Sequence, residues 1–252
     1  MSMDIVLIVK MAVVLCLGAA IHSTVGFAYA IFAVPIIVWM GVSLPHAIVI
    51  VSTCSFVQNL ISMIQLRREV PWRQVGSACL TGYMAIIAGI LILGKISRLS
   101  TENIKIILGA VIIILTIIQI TIRIQPREKL HWLWGFSAFF ASGFMQGVCG
   151  MGAPPLVMWL LAHNWSVAKT RSFLFAIFVC FIPVQLFILY LTLGNETLTG
   201  IAQGIIFTPV VFLGTAIGLA IGNRMAKPVL CKIVYIVLFI IGFSSILPLV
   251  IK

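Results

Sequence analysis

The chain has 252 residues, of which 62% are hydrophobic and only 8% charged, with a mean hydropathy of +1.25. That little charge excludes a soluble domain of this size, whose surface has to be covered by polar side chains. The net charge of +11 does not point to nucleic acid either, because the basic residues are scattered over short loops between apolar runs, where such charges set membrane orientation.

Apolar runs of roughly 20 residues recur from end to end, the pattern of an all-α polytopic protein embedded in a lipid bilayer. A cell membrane (inner or plasma), crossed many times, is the expected location. Ten segments follow one another. The first lies near 5–22 and carries Lys10. It reads as a membrane segment and not as a cleaved signal, since it lacks a basic n-region and a clear small-residue cleavage site. The second covers about 27–41 and the third 45–65, followed by a polar loop from Gln65 to Arg73. The fourth lies near 75–94 and the fifth near 104–122, and a charged linker from Arg123 to Lys129 marks the midpoint. The sixth covers 132–147, the seventh 153–163, the eighth 168–193 and the ninth 200–222; a polar stretch from Asn223 precedes the tenth. The second and seventh are short for a spanning helix. If each is half of a helix interrupted by glycine, the chain crosses eight or nine times and not ten.

Aligned on Gly26 and Gly150, the two halves run in the same order: apolar helix, glycine break, short helix, polar-containing helix, loop, glycine-rich helix, final helix. They predict two repeats, 1–125 and 126–252, forming one integral membrane domain. Gly82 and Gly89 in the fourth segment match Gly214 and Gly218 in the ninth, spacings that let helices approach closely. If the loop 66–73 is cytoplasmic, counting crossings puts 123–129, 164–171 and 223–232 on the same side, with most of the Lys and Arg. Its repeat partner, 194–199, falls on the opposite side, so the repeats are expected to be inverted, as in many secondary transporters.

A helix break in hydrocarbon exposes backbone groups that must be satisfied by protein or by a wet cavity. The N-terminus of the helix that follows offers free N–H groups and a partial positive charge, which suits an anion. Gly26 precedes the second segment; Gly147, Gly150 and Gly152 precede the seventh, where Pro154 and Pro155 fit a first helical turn. Simple kinks for packing are the plainer explanation. Polar side chains gather nearby: His22, Ser23, Thr24 and Tyr29 at the first break, Gln146 and Cys149 at the second, and Ser52, Thr53, Ser55, Gln58 and Asn59 on the third segment. Each alone is accounted for by a helix–helix hydrogen bond; together they outline a cavity that binds substrate. Two readings stand for Lys169 and Arg171, as positive-inside anchors or as cations drawing an anion into a vestibule. Asp4, Glu69, Glu102, Glu128 and Glu196 all lie near segment ends or in loops. A cation pump ordinarily needs a buried acid, so the partner expected is a small anion. His22 is the one intramembrane group that titrates near neutral pH, unless it is a hydrogen-bonded structural histidine.

Cys16, Cys54, Cys79, Cys149, Cys180 and Cys231, like His22, His46, His131 and His163, are spaced as packing residues and not as metal ligands. No metal, no cofactor and no enzymatic chemistry are expected, and no nucleotide-binding motif occurs.

The run Gly150-Met151-Gly152-Ala153-Pro154-Pro155-Leu156-Val157 resembles the TauE/SafE family of membrane transporters, the sulfite-exporter-type permeases, with one glycine replaced by alanine. So do the basic loop Arg67 to Arg73 with Pro71-Trp72, the Lys169-x-Arg171 start of the eighth segment, and Gly214-x-x-x-Gly218 with Asn223-Arg224 beyond it. At the first break Gly26 and Pro35 hold their places, while Phe27-Ala28-Tyr29 departs from the glycine-rich pattern. A tyrosine at 29 either narrows the pocket or donates a hydrogen bond to an oxyanion. The resemblance implies export of a sulfur-containing oxyanion or organosulfonate, such as sulfite or sulfoacetate. The function expected is secondary transport by alternating access, with the site between the two breaks and protons or the membrane potential as the energy source. An anion channel and, more remotely, an integral membrane enzyme are the rivals. Oligomeric state is left open by the sequence.

Overall fold

The computed structural model describes residues 4–121, 131–222 and 243. In chain order the elements are α1 (Ile5–Val25), α2 (Tyr29–Trp39), α3 (Leu44–Gln65), a 3₁₀ turn (Arg67–Glu69), α4 (Trp72–Ile96), α5 (Thr101–Thr121), α6 (Trp132–Cys149), α7 (Ala153–Leu161), α8 (Val167–Leu193) and α9 (Asn195–Gly222). Every described element is helical, as expected. The linker 123–129, the stretch 223–232 and the tenth segment apart from residue 243 lie outside the described residues.

Six helices (α1, α3, α4, α5, α8 and α9) are long and apolar enough to cross a membrane, and the chain is a multi-pass membrane protein. Local chemistry sets their ends. Pro45 sits in the first turn of α3, where a missing N–H costs nothing. Ser166 caps α8 by accepting from the Lys169 N–H, and His131 caps α6 through Nδ1. The short elements are indeed short: 11 residues in α2 and 9 in α7. At 1.5 Å per residue they reach about 16 and 14 Å, roughly half of a hydrocarbon core of about 30 Å. The helices before them are not halves, with 21 residues in α1 and 18 in α6. Each break therefore follows a full-length helix and introduces a half-length one.

The closest helix pairs are α4 with α6 and α1 with α9. Both depend on small residues. A Cβ on Gly89 would run into the Phe144 carbonyl and Gly147 Cα, and one on Gly143 into the Gly82 backbone. On the other side, a Cβ on Gly214 would strike the Cys16 carbonyl, and one on Gly218 the Ala20 carbonyl. The sequence-level expectation for these glycines, close approach of helices, is what the packing shows. Between the two pairs, α3 and α8 pack on each other, α3 also against α9 and α8 against α4. Leu80, Met84 and Leu91 of α4 and Ile206 and Leu213 of α9 are exposed, the apolar outer surface that a lipid-facing bundle presents.

The two ends of the bundle are distinct. Ser172 Oγ donates to the Glu69 carbonyl at 2.9 Å, joining the 3₁₀ turn to the start of α8 and so bringing the basic stretches 66–73 and 164–171 to one end. At the other end Pro45, Lys95, Arg98, Thr192 and Leu193 line one cleft.

Candidate functional site

The first break begins where α1 stops. Gly26 takes φ +92° and donates its N–H to the His22 carbonyl at 2.7 Å, a left-handed cap that glycine accepts without strain. Arg171 Nη2 donates to the Thr24 carbonyl at 3.1 Å, placing a cation on the partial negative charge of the helix end. Two residues on, Ala28 adopts φ +87°, the one non-glycine positive φ among the described residues. From Tyr29 the chain is helical again. The N–H groups of Tyr29, Ala30 and Ile31 have no partner four residues back, as in any first turn, and none of them donates to a described residue.

The second break is built differently. Gly150, at φ +73°, donates to the Gln146 carbonyl at 3.0 Å. The Gly152 N–H is taken by Gln146 Oε1 at 3.1 Å, and the Gly152 carbonyl accepts from Ser142 Oγ at 2.6 Å. Gln146 Nε2 then donates to Gln185 Oε1 at 2.7 Å, Gln185 Nε2 returns to the Gln146 carbonyl at 2.6 Å, and Ser52 Oγ donates to Gln185 Oε1 at 3.3 Å. Because the Gly152 N–H can only donate, Gln146 must face it with oxygen, and the orientation of both amides follows. The first turn of α7 holds Pro154 and Pro155, which have no N–H. The N–H groups of Ala153 and Leu156 in that turn donate to no described residue. Of the two helix starts expected to suit an anion, α2 keeps three unpartnered N–H groups and α7 two, the Gly152 N–H being taken by Gln146.

Both breaks border one internal cavity, lined by His22, Ala28 to Ile31, Ser52, Ser55, Gln146, Gly150, Gly152, Ala153, Phe178 and Ile182 among others. Ser52 and Ser55 fall near the middle of α3, Phe178 and Ile182 near the middle of α8, so it lies half-way along the bundle. The cavity measures about 30 Å³, room for about two water molecules at the roughly 10–15 Å³ that each requires. His22 is buried, and neither ring nitrogen has a hydrogen-bond partner among the described residues; Tyr29 Oη is in the same condition. Asn59 stands beside His22 without the alignment of a hydrogen-bonded pair and instead donates to Ser55 Oγ at 2.9 Å. Ser55 thereby keeps its own proton to donate. Free donors, a buried unpartnered imidazole and no carboxylate among the lining residues make this cavity suited to an anion.

Of the residues picked from the sequence, His22, Tyr29, Ser52, Ser55, Gln146, Gly150 and Gly152 meet in the cavity. Gly26 is one residue away at the cap. The others serve elsewhere. Ser23, Thr24 and Thr53 bond back to carbonyls of their own helices. Gln58 bridges α3 to Thr215 of α9 at 2.8 Å, with a longer bond to the Ala19 carbonyl. Gly147 is a contact point between α4 and α6, and Cys149 Sγ points to the Met145 carbonyl. Lys169 Nζ lies 4.6 Å above the Trp165 ring, a cation–π contact on an aromatic cluster. Arg171 caps α1 and does not line the cavity. Residues not singled out beforehand are Gln185, Phe178 and Ile182. Gln185 had a signal, a lone amide amid a long apolar helix.

Two wider clefts open at the bundle ends, about 720 Å³ beside Arg67, Arg68 and Glu69, and about 450 Å³ beside Lys95 and Arg98.

A family model described as "Sulfite exporter TauE/SafE" matches residues 11–245, nearly the whole chain. The chain belongs to the TauE/SafE family. A TauE/SafE relative from Cupriavidus necator, named "Probable sulfite/organosulfonate exporter TauE", is 23% identical over 238 residues, covering 92% of this chain and 90% of the relative. No solved structure matches. As a TauE/SafE member the chain is a membrane transporter and not an enzyme.

Proposed function

We propose that this chain exports a small sulfur-containing oxyanion or organosulfonate, such as sulfite or sulfoacetate, binding it between the two breaks and working by alternating access. The observation that carries this reading is the pairing, in one mid-bundle cavity, of three unpartnered N–H groups at the start of α2 with the unpartnered ring of His22. The family match and the name of the Cupriavidus necator relative supply the sulfur chemistry.

The two-repeat organisation, 1–125 and 126–252 in opposite orientation, is supported by contacts that exchange in pairs. If α1 corresponds to α6 and α4 to α9, then α1 with α9 and α6 with α4 are the same contact made twice. Gly218 on the Ala20 carbonyl repeats Gly89 on the Phe144 carbonyl. His22 and Gln146 likewise occupy one position, each offering its carbonyl to the glycine that ends its helix. For an exported anion, a membrane potential negative inside supplies about 2.3 kcal/mol per charge per 100 mV.

Counterflow in proteoliposomes tests the transport mechanism. Labelled sulfite should enter vesicles faster when unlabelled sulfite is loaded inside, and replacing His22 with Leu should lower the rate at least tenfold. A flux indifferent to the trans side is the behaviour of a channel and would reject alternating access.

A further inference from the structure

The helices lining the cavity contribute different chemistry: α8 gives only Phe178 and Ile182, whereas α3 gives Ser52 and Ser55 beside Val51. α3 and α8 each start from a serine, Ser43 and Ser166. Counted from those caps, α3 carries Ser52, Ser55, Gln58 and Asn59 where α8 carries Phe175, Phe178, Phe181 and Ile182. Two of these phenylalanines have structural duties: Phe181 fills the space above Gly82, and Phe175 packs against the His22 ring at 6.1 Å. Phe178 and Ile182, one helical turn apart, face the cavity instead. The same lining holds the Ser55 hydroxyl and the first turn of α2.

An inorganic oxyanion presents oxygens on every side and would have to shed water against Phe178 and Ile182 with nothing to replace it. An anion with a sulfonate head and a short carbon tail meets both kinds of lining. Resting on the assignment of this cavity as the transport site, we propose that Phe178 sets tail length. The site takes short alkanesulfonate-type anions, head toward the start of α2 and Ser55, tail against Phe178 and Ile182. Ile182 is the floor of the apolar side, and Phe178, with the larger ring, limits how far a tail extends.

The test is binding to the purified full-length protein, by calorimetry, of methane-, ethane-, propane-, butane- and hexanesulfonate, with sulfite alongside. Each methylene that finds apolar room adds about fourfold in affinity. In the wild type, affinity should rise over the first one or two carbons and then fall. Phe178→Ala should move the fall to longer tails, and Phe178→Leu, the milder change, should move it in the same direction by less. A chain-length profile unchanged in both variants overturns the proposal, as does a wild type that binds methane- and hexanesulfonate equally. Sulfite binding without sulfonate binding defeats this inference alone, whereas binding of neither defeats the transport-site assignment as well.

Discussion

Ala28 sits at the point where the first break turns into α2, with a backbone conformation that costs an L-residue about 1–2 kcal/mol. Ala28→Gly removes that strain, against a smaller entropic penalty from the unfolded chain. Thermal unfolding in detergent should show a gain of about 1 kcal/mol, and Ala28→Val, β-branched at positive φ, a loss of about 2 kcal/mol. A melting temperature lowered by glycine and kept by valine would contradict the strained geometry. At the second break the amide chain through Gln146 and Gln185 invites a double-mutant cycle. Gln185→Leu leaves Gln146 Nε2 and Ser52 without their acceptor, a cost of about 1–3 kcal/mol. The double variant with Gln146→Leu should lose less than the sum of the singles, by about 1 kcal/mol, as coupled neighbours do; strict additivity would mean the two amides do not interact. His22, Tyr29 and Gln146 could be picked from the sequence because a polar group stands out in an apolar run. Phe178 and Ile182 could not, since an apolar residue in an apolar helix carries no mark of whether it faces lipid, core or cavity.

The helices themselves were readable with little ambiguity, because glycine, proline and charge punctuate runs of membrane length. Less readable was what each break does. From sequence the glycine-rich second break is the expected source of backbone N–H groups, and the first, with His22, Ser23, Thr24 and Tyr29, the expected source of side-chain selectivity. In the structure Pro154 and Pro155 have no N–H to give and Gln146 takes the one from Gly152, which leaves two unpartnered donors at the start of α7 beside three at the start of α2. Arg171 had been given two readings, as anchor or vestibule cation, and the geometry provides a third, a cap on the end of α1. Arg171→Ala should therefore cost about 1–2 kcal/mol of stability, with loss of anion affinity following from the loosened break, and both effects should appear together in thermal-shift titrations with sulfite. Stability unchanged with affinity lost would place Arg171 on the substrate instead. Glycine packing yields a sharper contrast. Gly147→Ala and Gly214→Ala push a methyl group into opposing backbone and should destabilise by about 1–3 kcal/mol or more. Gly76→Ala and Gly94→Ala, with nothing within 4 Å, should stabilise by about 0.5–1 kcal/mol through helix propensity. Equal effects at the two kinds of site would remove the case for close helix approach.

Across the whole molecule, a pairing of helices that repeats itself surrounds a cavity that does not. α1 with α9 and α6 with α4 clamp the bundle from both sides through glycine contacts. The cavity between them has donors on the α2 and α3 side and an apolar surface on α8. On the two-repeat, alternating-access mechanism proposed above, such a frame suits rocking between two orientations, and the uneven lining of the cavity would hold one end of an anion. The two basic clefts at the bundle ends are the alternative places for an anion to rest. Diffraction from crystals grown with 2-bromoethanesulfonate separates these possibilities, because bromine marks the tail by anomalous scattering. The bromine peak should lie in the mid-bundle cavity, in van der Waals contact with Phe178 or Ile182, with the sulfonate at the first turn of α2. A peak confined to the cleft beside Arg67 and Arg68, or to the one beside Lys95 and Arg98, would contradict the assignment of the site.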